Sequence, residues 1–395
     1  MNNSEKIESQ NQEISKGSLR ISKFNVELPQ PKSSKPTLAI IIGITAAFVV
    51  FLLIWIFYLK KNPIGFLRDD GANDPNEEKS AEMLMNPLTG VRYPQQEAAA
   101  WINNRPLAVM VNNHQDARPQ SGLIFADLVY EVTAEAGITR FLPFFLAEIP
   151  EKIGSVRSAR DYYLVLVKEL GDAMIMHIGW SPQALEAIET WPVRSLGRGG
   201  GTFWRENPRD VAVEHTAFTD GKELMTIADN LGWDGTGELT PWIFKDDQNK
   251  YSDKPEAKEV SIDFWDKGDF TAIFKYDQAT NTYLRFMGYD EDGNPIPHLD
   301  NETQEQIRPS NVIVQFAVET AVFGDDKGRL DYELIGSNTS LIFMDGRVIE
   351  ATWTKEDRDE RTIFYDANGE QIQFNRGKMW ICIVPDRNVA QVVYN

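Results

Sequence analysis

Cysteine is almost absent from this chain, because only Cys382 among its 395 residues carries a thiol. One thiol excludes a disulfide framework within the chain and a zinc site built from several cysteines. Cys382 lies in the apolar run MWICIVP (379–385), which is typical of a buried strand. We therefore interpret it as a small buried side chain and not as a nucleophile.

Histidine is also scarce, and local catalytic or metal-binding motifs are missing. The histidines show no HxH, HExxH or H-x₃-H spacing, so the sequence predicts no metal site. No G-x-S-x-G elbow is present, and the glycine-rich stretch 197–206 lacks both a Walker lysine and the spacing of a dinucleotide motif. We expect a mobile surface loop at 197–206 and no cofactor. The four histidines are His114, His177, His215 and His298.

Positive charge is in short supply. The chain has 40 Lys and Arg against 59 Asp and Glu, which gives a formal net charge of −19. A surface of this sign cannot release counterions from phosphate backbones, so we expect no nucleic-acid partner. The composition is 42% hydrophobic and 25% charged, which is typical of a folded protein. The length favours two domains over one.

One long run has no charge at all. Leu38–Leu59 covers 22 residues and would be about 33 Å long as a helix, enough to cross a membrane. A cleaved signal peptide fits less well, because the run is too long, starts late and has no small-residue cleavage site after it. We therefore expect a tail at 1–37, a transmembrane helix at 38–59 and a flexible acidic tether at 60–82. Basic residues flank the span almost equally, so charge alone does not orient it.

The remaining sequence predicts two folded parts. Strand-like and helix-like runs alternate over 83–253, which is typical of an α/β domain. Past residue 254 the pattern changes to hairpins, with a strong turn signal at Asp345-Gly346 between alternating apolar runs. We expect an α/β N-terminal body domain followed by a β-rich C-terminal domain at 254–395. Pro143 predicts that its strand is an edge or bulged strand.

Two arginines stand out in the stretch IGSVRSARD (153–161), which lies between long apolar runs. If Ser158 caps the helix that follows, Asp161 is its third residue and Arg157 and Arg160 flank the positive helix end. Two guanidinium groups three residues apart can grip one anion, or they can pair with Glu131 and Glu135. The first alternative is a binding site and the second is structural ion pairing.

Other polar residues are predicted to lie at strand and helix ends near these arginines, where ligands gather in open α/β sheets. Ser181 is placed to cap a helix directly after the strand that ends at His177. We predict one ligand-binding cleft, formed by Asn113, His114, Arg118, Glu131, Arg140, Arg157, Arg160, Asp161, His177 and His215.

A series of short motifs carries a family resemblance over nearly all of 83–395. In this order they make the sequence resemble the YerB-like family of bacterial envelope proteins. The motifs are NPLTG (86–90), RPLAVMVNNH (105–114), ARPQSGL (117–123), ADLVYE (126–131), GITRFL (137–142), IGSVRSAR (153–160), SPQA (181–184), PHLD (297–300), NVIVQF (311–316), GRL (328–330), DGRVIEATW (345–353) and GKMWICIVP (377–385).

The resemblance implies a location more than an activity. Family members are typically lipoproteins outside the cytoplasmic membrane, which implies a cytoplasmic tail and an extracytoplasmic body here. This chain departs from the pattern because it has no lipobox cysteine, and the run 38–59 takes over as anchor. It also has Asn112 where an acidic residue is usual and Glu-His-Thr at 214–216 where Pro-His-Asn is common, which puts catalysis by His114 or His215 in doubt.

Three functions remain open from the sequence. The body binds an anionic or carbohydrate-like envelope component or an envelope-assembly protein through the predicted cleft. Alternatively, it is an envelope hydrolase with Glu131 or Glu135 as general acid or base. The third alternative is a scaffold whose acidic surface docks a membrane partner.

Overall fold

The computed structural model describes residues 83–395. The predicted tail, transmembrane helix and tether, at 1–37, 38–59 and 60–82, lie outside the described residues. Within residues 83–395, no helix combines the length and the apolar character that crossing a membrane requires.

Short strands dominate the described chain. Those before residue 253 are β1 Met83–Met85, β2 Arg92–Pro94, β3 Leu107–Val109, β4 Val111–Asn112, β5 Leu128–Thr133, β6 Thr139–Phe145, β7 Ile153–Gly154, β8 Met174–Met176, β9 Arg194–Ser195, β10 Trp204–Arg205, β11 Ala217–Thr219 and β12 Ile243–Phe244. Those after it are β13 Glu259–Ile262, β14 Ala272–Asp277, β15 Thr282–Tyr289, β16 Pro295–Pro297, β17 Asn311–Ala317, β18 Glu319–Ala321, β19 Leu330–Tyr332, β20 Gly336–Met344, β21 Arg347–Lys355, β22 Ile363–Asp366, β23 Gln373–Phe374, β24 Met379–Pro385 and β25 Val392–Tyr394.

Helices are few and short in the same part of the chain. The α-helices are α1 Gln95–Ala98, α2 Asp161–Lys168, α3 Pro182–Thr190, α4 Leu196–Gly199 and α5 Gly221–Asn230. The 3₁₀ helices are Gln115–Ala117, Leu123–Phe125, Glu135–Gly137, Val213–His215 and Asp386–Gln391.

One mixed sheet of eleven strands contains strands from both predicted domains. Its order is β22-β21-β20-β17-β24-β5-β6-β3-β8-β9, and β4 pairs with β6. Strand β24 runs parallel to β5 on one side and to β17 on the other. Cys382 lies opposite Glu131 in the first pairing and opposite Val314 in the second. The two halves therefore share their central hydrogen-bond ladder.

The predicted fold class is wrong on this point. The N-terminal part is β-rich and not an α/β domain. Five C-terminal strands, β17, β20, β21, β22 and β24, join the N-terminal strands in one sheet. The pairing of β24 with β5 joins residues about 250 positions apart, which no local pattern reveals. The domain bounds 83–253 and 254–395 themselves stay a prediction.

Two hydrophobic cores lie on opposite faces of the central sheet. Along β5, Tyr130 packs into the core that contains α2 and α3, whereas Val129 packs into the core that contains β13, β14 and β15. This alternation follows from the two-residue period of a strand that is buried on both faces. The second core is closed by a five-stranded antiparallel sheet of order β16-β15-β14-β13-β25.

Several local predictions can be compared with the structure. Ser181 caps α3, since its hydroxyl accepts a hydrogen bond from the Ala184 N–H at 3.1 Å, and Asp345-Gly346 joins β20 to β21 as predicted. Cys382 is buried, as predicted. Pro143, however, lies in the interior strand β6, opposite the break between β3 and β4. The pairing of β6 with β3 and β4 is interrupted there, so the proline, which has no N–H to donate, is accommodated. The stretch 197–206 contains most of α4 and all of β10.

Candidate functional site

The arginine pair is split between two environments. Arg160 donates from Nε to Glu135 Oε1 at 2.5 Å, and Arg140 donates from Nη2 to Glu135 Oε2 at 3.0 Å. All three side chains are largely buried. Burial raises the pKa of Glu135, but the hydrogen bond from Arg160 and the charges of both arginines lower it below its ordinary value. Arg160 and Arg140 therefore share one carboxylate within the protein, and the three side chains together keep one net positive charge.

Arg157 has no such partner. Among residues 83–395, no carboxylate lies within ion-pair distance of Arg157, and its guanidinium makes no hydrogen bond. Its backbone is held on both sides, because its N–H donates to Met110 O and its carbonyl accepts from Ile178 N. The side chain is half-buried. Burial lowers its pKa, and the nearby Glu214 opposes that shift. A half-buried cation of this kind attracts an anion.

The predicted cap of α2 is wrong. The N-cap residue is Arg160 and not Ser158, so Asp161 is the first residue of the helix instead of the third. The Ser158 hydroxyl donates to Ile178 O at 2.8 Å and is unavailable to the helix. Asp161 is half-buried, and burial raises its pKa.

A histidine pair lies near Arg157, with His114 partly exposed and His215 buried. The rings of His114 and His215 stack with centroids 4.4 Å apart and an angle of 16° between their planes. Asp116 Oδ2 lies 3.6 Å from His114 Nδ1 and 4.0 Å from His215 Nε2. Burial lowers the pKa of His215, and the charges of His114 and Arg157 act in the same direction. His215, Arg157 and His114 therefore share one electrostatic environment.

The amide of Asn112 ties the two histidines together. Its Nδ2 lies 2.8 Å from His215 Nδ1, and its Oδ1 accepts the His114 backbone N–H at 3.0 Å. His114 in turn begins the 3₁₀ helix Gln115–Ala117, where its Nδ1 accepts the Asp116 N–H at 3.2 Å. The short helix therefore fixes Asp116 beside both rings.

Two of the predicted residues belong to a closed ring of buried hydrogen bonds. Arg285 donates to Glu131 Oε2 at 2.8 Å and to His298 Nδ1, and neither Glu131 nor Arg285 has any exposed side-chain surface. The ring closes through Gln120, Asn113 and Thr139. Its remaining bonds are His298 Nε2 to Gln120 Oε1 at 2.9 Å, Gln120 Nε2 to Asn113 Oδ1 at 3.0 Å, Asn113 Nδ2 to Thr139 Oγ1 at 2.7 Å and Thr139 Oγ1 to Glu131 Oε1 at 3.0 Å.

This ring is structural in its geometry. Trp380 also donates to Glu131 Oε2 at 3.0 Å, so both carboxylate oxygens are occupied. The Arg285 guanidinium lies over the Trp380 ring, 4.4 Å from its centroid. Burial and the charges of Arg285 and Arg118 lower the pKa of His298 well below its usual value. The neutral ring can then accept from Arg285 and donate to Gln120 at once.

Arg118 and His177 lie outside the surface cluster. Arg118 donates from Nε to Asn113 O at 3.1 Å and lies over the Phe270 ring, and burial lowers its pKa to about 10. His177 is buried, with Nδ1 at 2.9 Å from Gly179 O and Nε2 at 2.7 Å from Ser195 Oγ. Both nitrogens of His177 are therefore used within the protein. The predicted cleft residues that lie close together, with His215 buried and the other two partly exposed, are His114, His215 and Arg157.

Cavities lie beside and away from this cluster. One of about 150 Å³ has His215 in its wall together with Lys152, Glu206 and Arg209. Lys152 is held there by Glu206 at 2.7 Å and Glu302 at 3.2 Å. A second cavity, of about 390 Å³, is lined by Arg308, Lys378 and other residues and does not include the histidines.

Two family models match the chain. They carry the descriptions "Protein of unknown function (DUF3048) N-terminal domain", over residues 88–234, and "Protein of unknown function (DUF3048) C-terminal domain", over residues 260–381. YerB of Bacillus subtilis (strain 168), whose name classes it as a lipoprotein, is 32% identical over 317 residues. The match covers 79% of this chain and 90% of that protein.

The chain belongs to the YerB-like family. The crystal structure of YerB from Bacillus subtilis superposes with a TM-score of 0.66 and covers 79% of this chain and 99% of that one. The resemblance read from the short motifs is therefore confirmed. The two family models match residues on opposite sides of the predicted boundary at 253, although the central sheet contains strands from both matched regions.

Asp116, Asn112 and Arg285 were not among the predicted site residues. Asp116 stands two positions after His114, and this spacing is the feature of the sequence that could have indicated it. The spacing is a weak indicator because the other histidine of the pair, His215, lies about 100 residues later, at the end of the 3₁₀ helix Val213–His215. Arg285 had no signal, because an arginine in an alternating strand reads as a solvent-facing residue.

Proposed function

We propose that this YerB-like protein binds an anionic component of the cell envelope at the surface formed by Arg157, His114 and His215, which we call the Arg157 surface. One observation carries the proposal: Arg157 is half-buried and has no carboxylate within ion-pair distance in the described part of the chain, whereas its neighbour Arg160 is paired with Glu135. A partly desolvated cation without a partner is stabilised by an anionic ligand.

Exposed aromatic rings support a ligand with sugar-like faces. Trp180 is exposed and pairs by its backbone with Ala159, two residues from Arg157. Trp204 is exposed on β10, which pairs with β11 directly after His215. Tryptophan is enriched at binding interfaces relative to the rest of the protein surface. An anionic polymer that carries sugars or polyols offers negative charges to Arg157 and sugar-like faces to the aromatic rings.

The location is proposed from the relative and from the sequence. YerB of Bacillus subtilis is named as a lipoprotein, which favours a membrane-anchored body outside the cytoplasm for this chain too. The uncharged run 38–59 takes the role of the anchor in this proposal, because the sequence has no lipobox cysteine. Carbonate extraction of membranes and protease accessibility of intact cells test the anchor and the side on which the body lies.

The hydrolase alternative is not favoured by the geometry. Glu131 is fully buried with both oxygens bonded, and Glu135 is held by two arginines. A general acid or base must reach the substrate, which neither carboxylate does in this arrangement. The scaffold alternative stays a prediction, and an envelope-assembly protein as ligand is an outcome that cross-linking from the Arg157 surface would reveal.

Binding measurements on the full-length protein in detergent micelles test the proposal. The probes are a soluble poly(glycerol phosphate) and muropeptide fragments, with calorimetry as the readout. We expect at least one probe to bind, and Arg157→Ala to weaken that binding about tenfold or more, because a charge-assisted hydrogen bond contributes roughly 1.5–3 kcal/mol. Arg308→Ala is the matched control, since Arg308 is an exposed arginine at the other cavity. Equal affinities for wild type and Arg157→Ala, or no binding to either probe, would reject the proposed site.

A further inference from the structure

Three potential metal ligands converge at the surface although they are far apart in sequence. His114, Asp116 and His215 each offer one ligand atom, and these atoms all lie within 4.8 Å of one another. In a tetrahedral zinc site, neighbouring ligand atoms are about 3.4 Å apart, given metal–ligand distances near 2.1 Å. The separations of 3.6 Å and 4.0 Å from Asp116 Oδ2 are close to that value. From this convergence we propose that His114, Asp116 and His215 bind a divalent transition-metal ion.

The ligand types select the class of ion. Two imidazoles and one carboxylate suit zinc and other late first-row divalent ions better than calcium or magnesium, which prefer oxygen ligands only. Three protein ligands leave at least one coordination position open. That position faces outward, because His114 and Asp116 are partly exposed whereas His215 is nearly buried. The ion therefore enters from the solvent side of Asp116.

The backbone and Asn112 preorganise two of the three ligands. Asp116 is placed by the 3₁₀ helix Gln115–Ala117, and His215 is placed by its contact with Asn112 at 2.8 Å. A metal-bound histidine commonly has its other ring nitrogen hydrogen-bonded to a neighbouring polar group. Coordination through His215 Nε2 requires the ring proton on Nδ1, so the Asn112 amide must turn over to accept it and then loses the hydrogen bond that its Oδ1 accepts from the His114 N–H.

His114 is the ligand that must move. Its ring stacks on His215 with nearly parallel planes, and a metal ion binds in the plane of an imidazole and not above its face. Rotation of the His114 side chain out of the stack releases the hydrogen bond that Nδ1 accepts from the Asp116 N–H and frees a nitrogen lone pair for the ion beside the Asp116 carboxylate. The His114 side chain is 35% exposed, so part of the ring borders the solvent into which it can turn.

The surroundings of the three ligands carry charges of both signs. Glu214 precedes His215 and is exposed, while Arg157 acts electrostatically on His215. With neutral histidines, the three ligands carry one negative charge, so a bound divalent ion leaves a net charge of +1. The remaining positive charge adds to that of Arg157, so metal binding would strengthen the anion binding proposed above. The metal site itself does not depend on that proposed function.

Zinc calorimetry and the visible absorption of the cobalt form test the proposal on the full-length protein in detergent micelles. We expect one equivalent of Zn²⁺ or Co²⁺ to bind, with cobalt bands that indicate four or five ligands. His114→Ala and Asp116→Asn should each weaken binding at least tenfold, since loss of even an outer-shell partner costs about 10–100-fold. Both residues are partly exposed, and equal unfolding midpoints will show that the variants are folded.

The matched controls are Gln115→Ala and Glu214→Gln. Both residues are outside the three-ligand set. Gln115→Ala should bind the ion as wild type does, and Glu214→Gln, which removes a neighbouring negative charge, should weaken binding by much less than the ligand variants do. Arg157→Ala should also leave zinc binding intact while weakening polymer binding, which separates the two proposals. The metal site is overturned if the wild type binds no equivalent of either ion, or if His114→Ala and Asp116→Asn bind as tightly as the wild type.

Discussion

Glu131 on β5 and Arg285 on β15 form an ion pair in which neither side chain is exposed to solvent. The two residues are 154 positions apart, and their 2.8 Å contact joins the central sheet to the five-stranded sheet. A buried ion pair is costly to form, but the removal of one partner leaves an uncompensated buried charge. The loss of either partner should therefore destabilise the fold.

Arg285→Ala should destabilise the fold by about 3–5 kcal/mol, because it leaves the Glu131 carboxylate buried and without its cation. Urea unfolding followed by fluorescence measures the change in the midpoint. Lys222→Ala is the control, since Lys222 pairs with Glu151 on the open surface and its loss should leave the midpoint almost unchanged. A similar midpoint for Arg285→Ala and wild type would contradict a structural role for this pair.

Arg160→Ala and Arg157→Ala should separate stability from binding. Arg160 is one of two arginines on Glu135, so its loss should cost about 1–3 kcal/mol of unfolding free energy. Arg157 makes no side-chain hydrogen bond or ion pair in residues 83–395, so its loss should cost less than about 1 kcal/mol. Urea titration of both variants gives the two values. A larger loss of stability for Arg157→Ala than for Arg160→Ala would contradict the pairing of Arg160 with Glu135.

The contribution of Glu135 to stability should disappear in acid. Its pKa is lower in the folded protein than its ordinary value, so the contribution is fully present above the unfolded pKa of about 4.3 and falls as the pH drops through the folded pKa. We therefore expect Glu135→Gln to be less stable than wild type at pH 7, and the difference to shrink below about pH 4. Chemical unfolding at a series of pH values measures it. A difference that stays constant down to pH 3 would contradict the shift.

Gly346→Ala should destabilise the fold more than Gly369→Ala. Both glycines have a positive φ, +64° and +78°, and both variants lose about 1 kcal/mol for that reason. A Cβ at Gly346 would also lie 2.7 Å from the Tyr276 ring, whereas nothing lies within 4 Å of a Cβ at Gly369. Thermal unfolding of the pair isolates the steric part. Equal losses would mean that Tyr276 moves aside freely.

Cys382 should react with a thiol reagent only after unfolding. It is fully buried, and burial together with the Glu131 charge raises the pKa of its thiol well above the usual value. Because the chain has one cysteine, the colour developed with Ellman's reagent reports this residue alone. We expect no reaction in buffer and one equivalent in guanidinium chloride. Rapid labelling of the native protein would contradict the burial of β24.

Local features of this fold were predictable where one short stretch determines them. Ser181 before Pro182 specified the start of α3, and Asp345-Gly346 specified the turn between β20 and β21, because capping and positive φ are properties of neighbouring residues. The cap of α2 was missed for a tertiary reason. The Ser158 hydroxyl bonds to Ile178 O, a partner twenty residues away.

The candidate site was predictable only in part. The stretch that contains Arg157 was recognised from its charges between apolar runs, and the stretch that contains Asn113 and His114 from its place after a predicted strand. The sequence could not show which of the two arginines, Arg157 or Arg160, is paired with a carboxylate. That depends on Glu135, which reaches Arg160 across the end of β5. The approach of His215 to His114 likewise depends on pairing between distant segments, which the local pattern does not encode.

The position of β24 has a consequence for how this protein is made. Residues 379–385 fill the gap between β5 and β17, so a nascent chain that has emerged only as far as β17 exposes the unpaired edges of two apolar strands. Such a chain cannot complete the central sheet until β24 has been synthesised. If the body is exported as proposed, the segment up to β17 must be kept from aggregating until β24 has been delivered to the same compartment, which makes holding chaperones at the membrane a natural requirement.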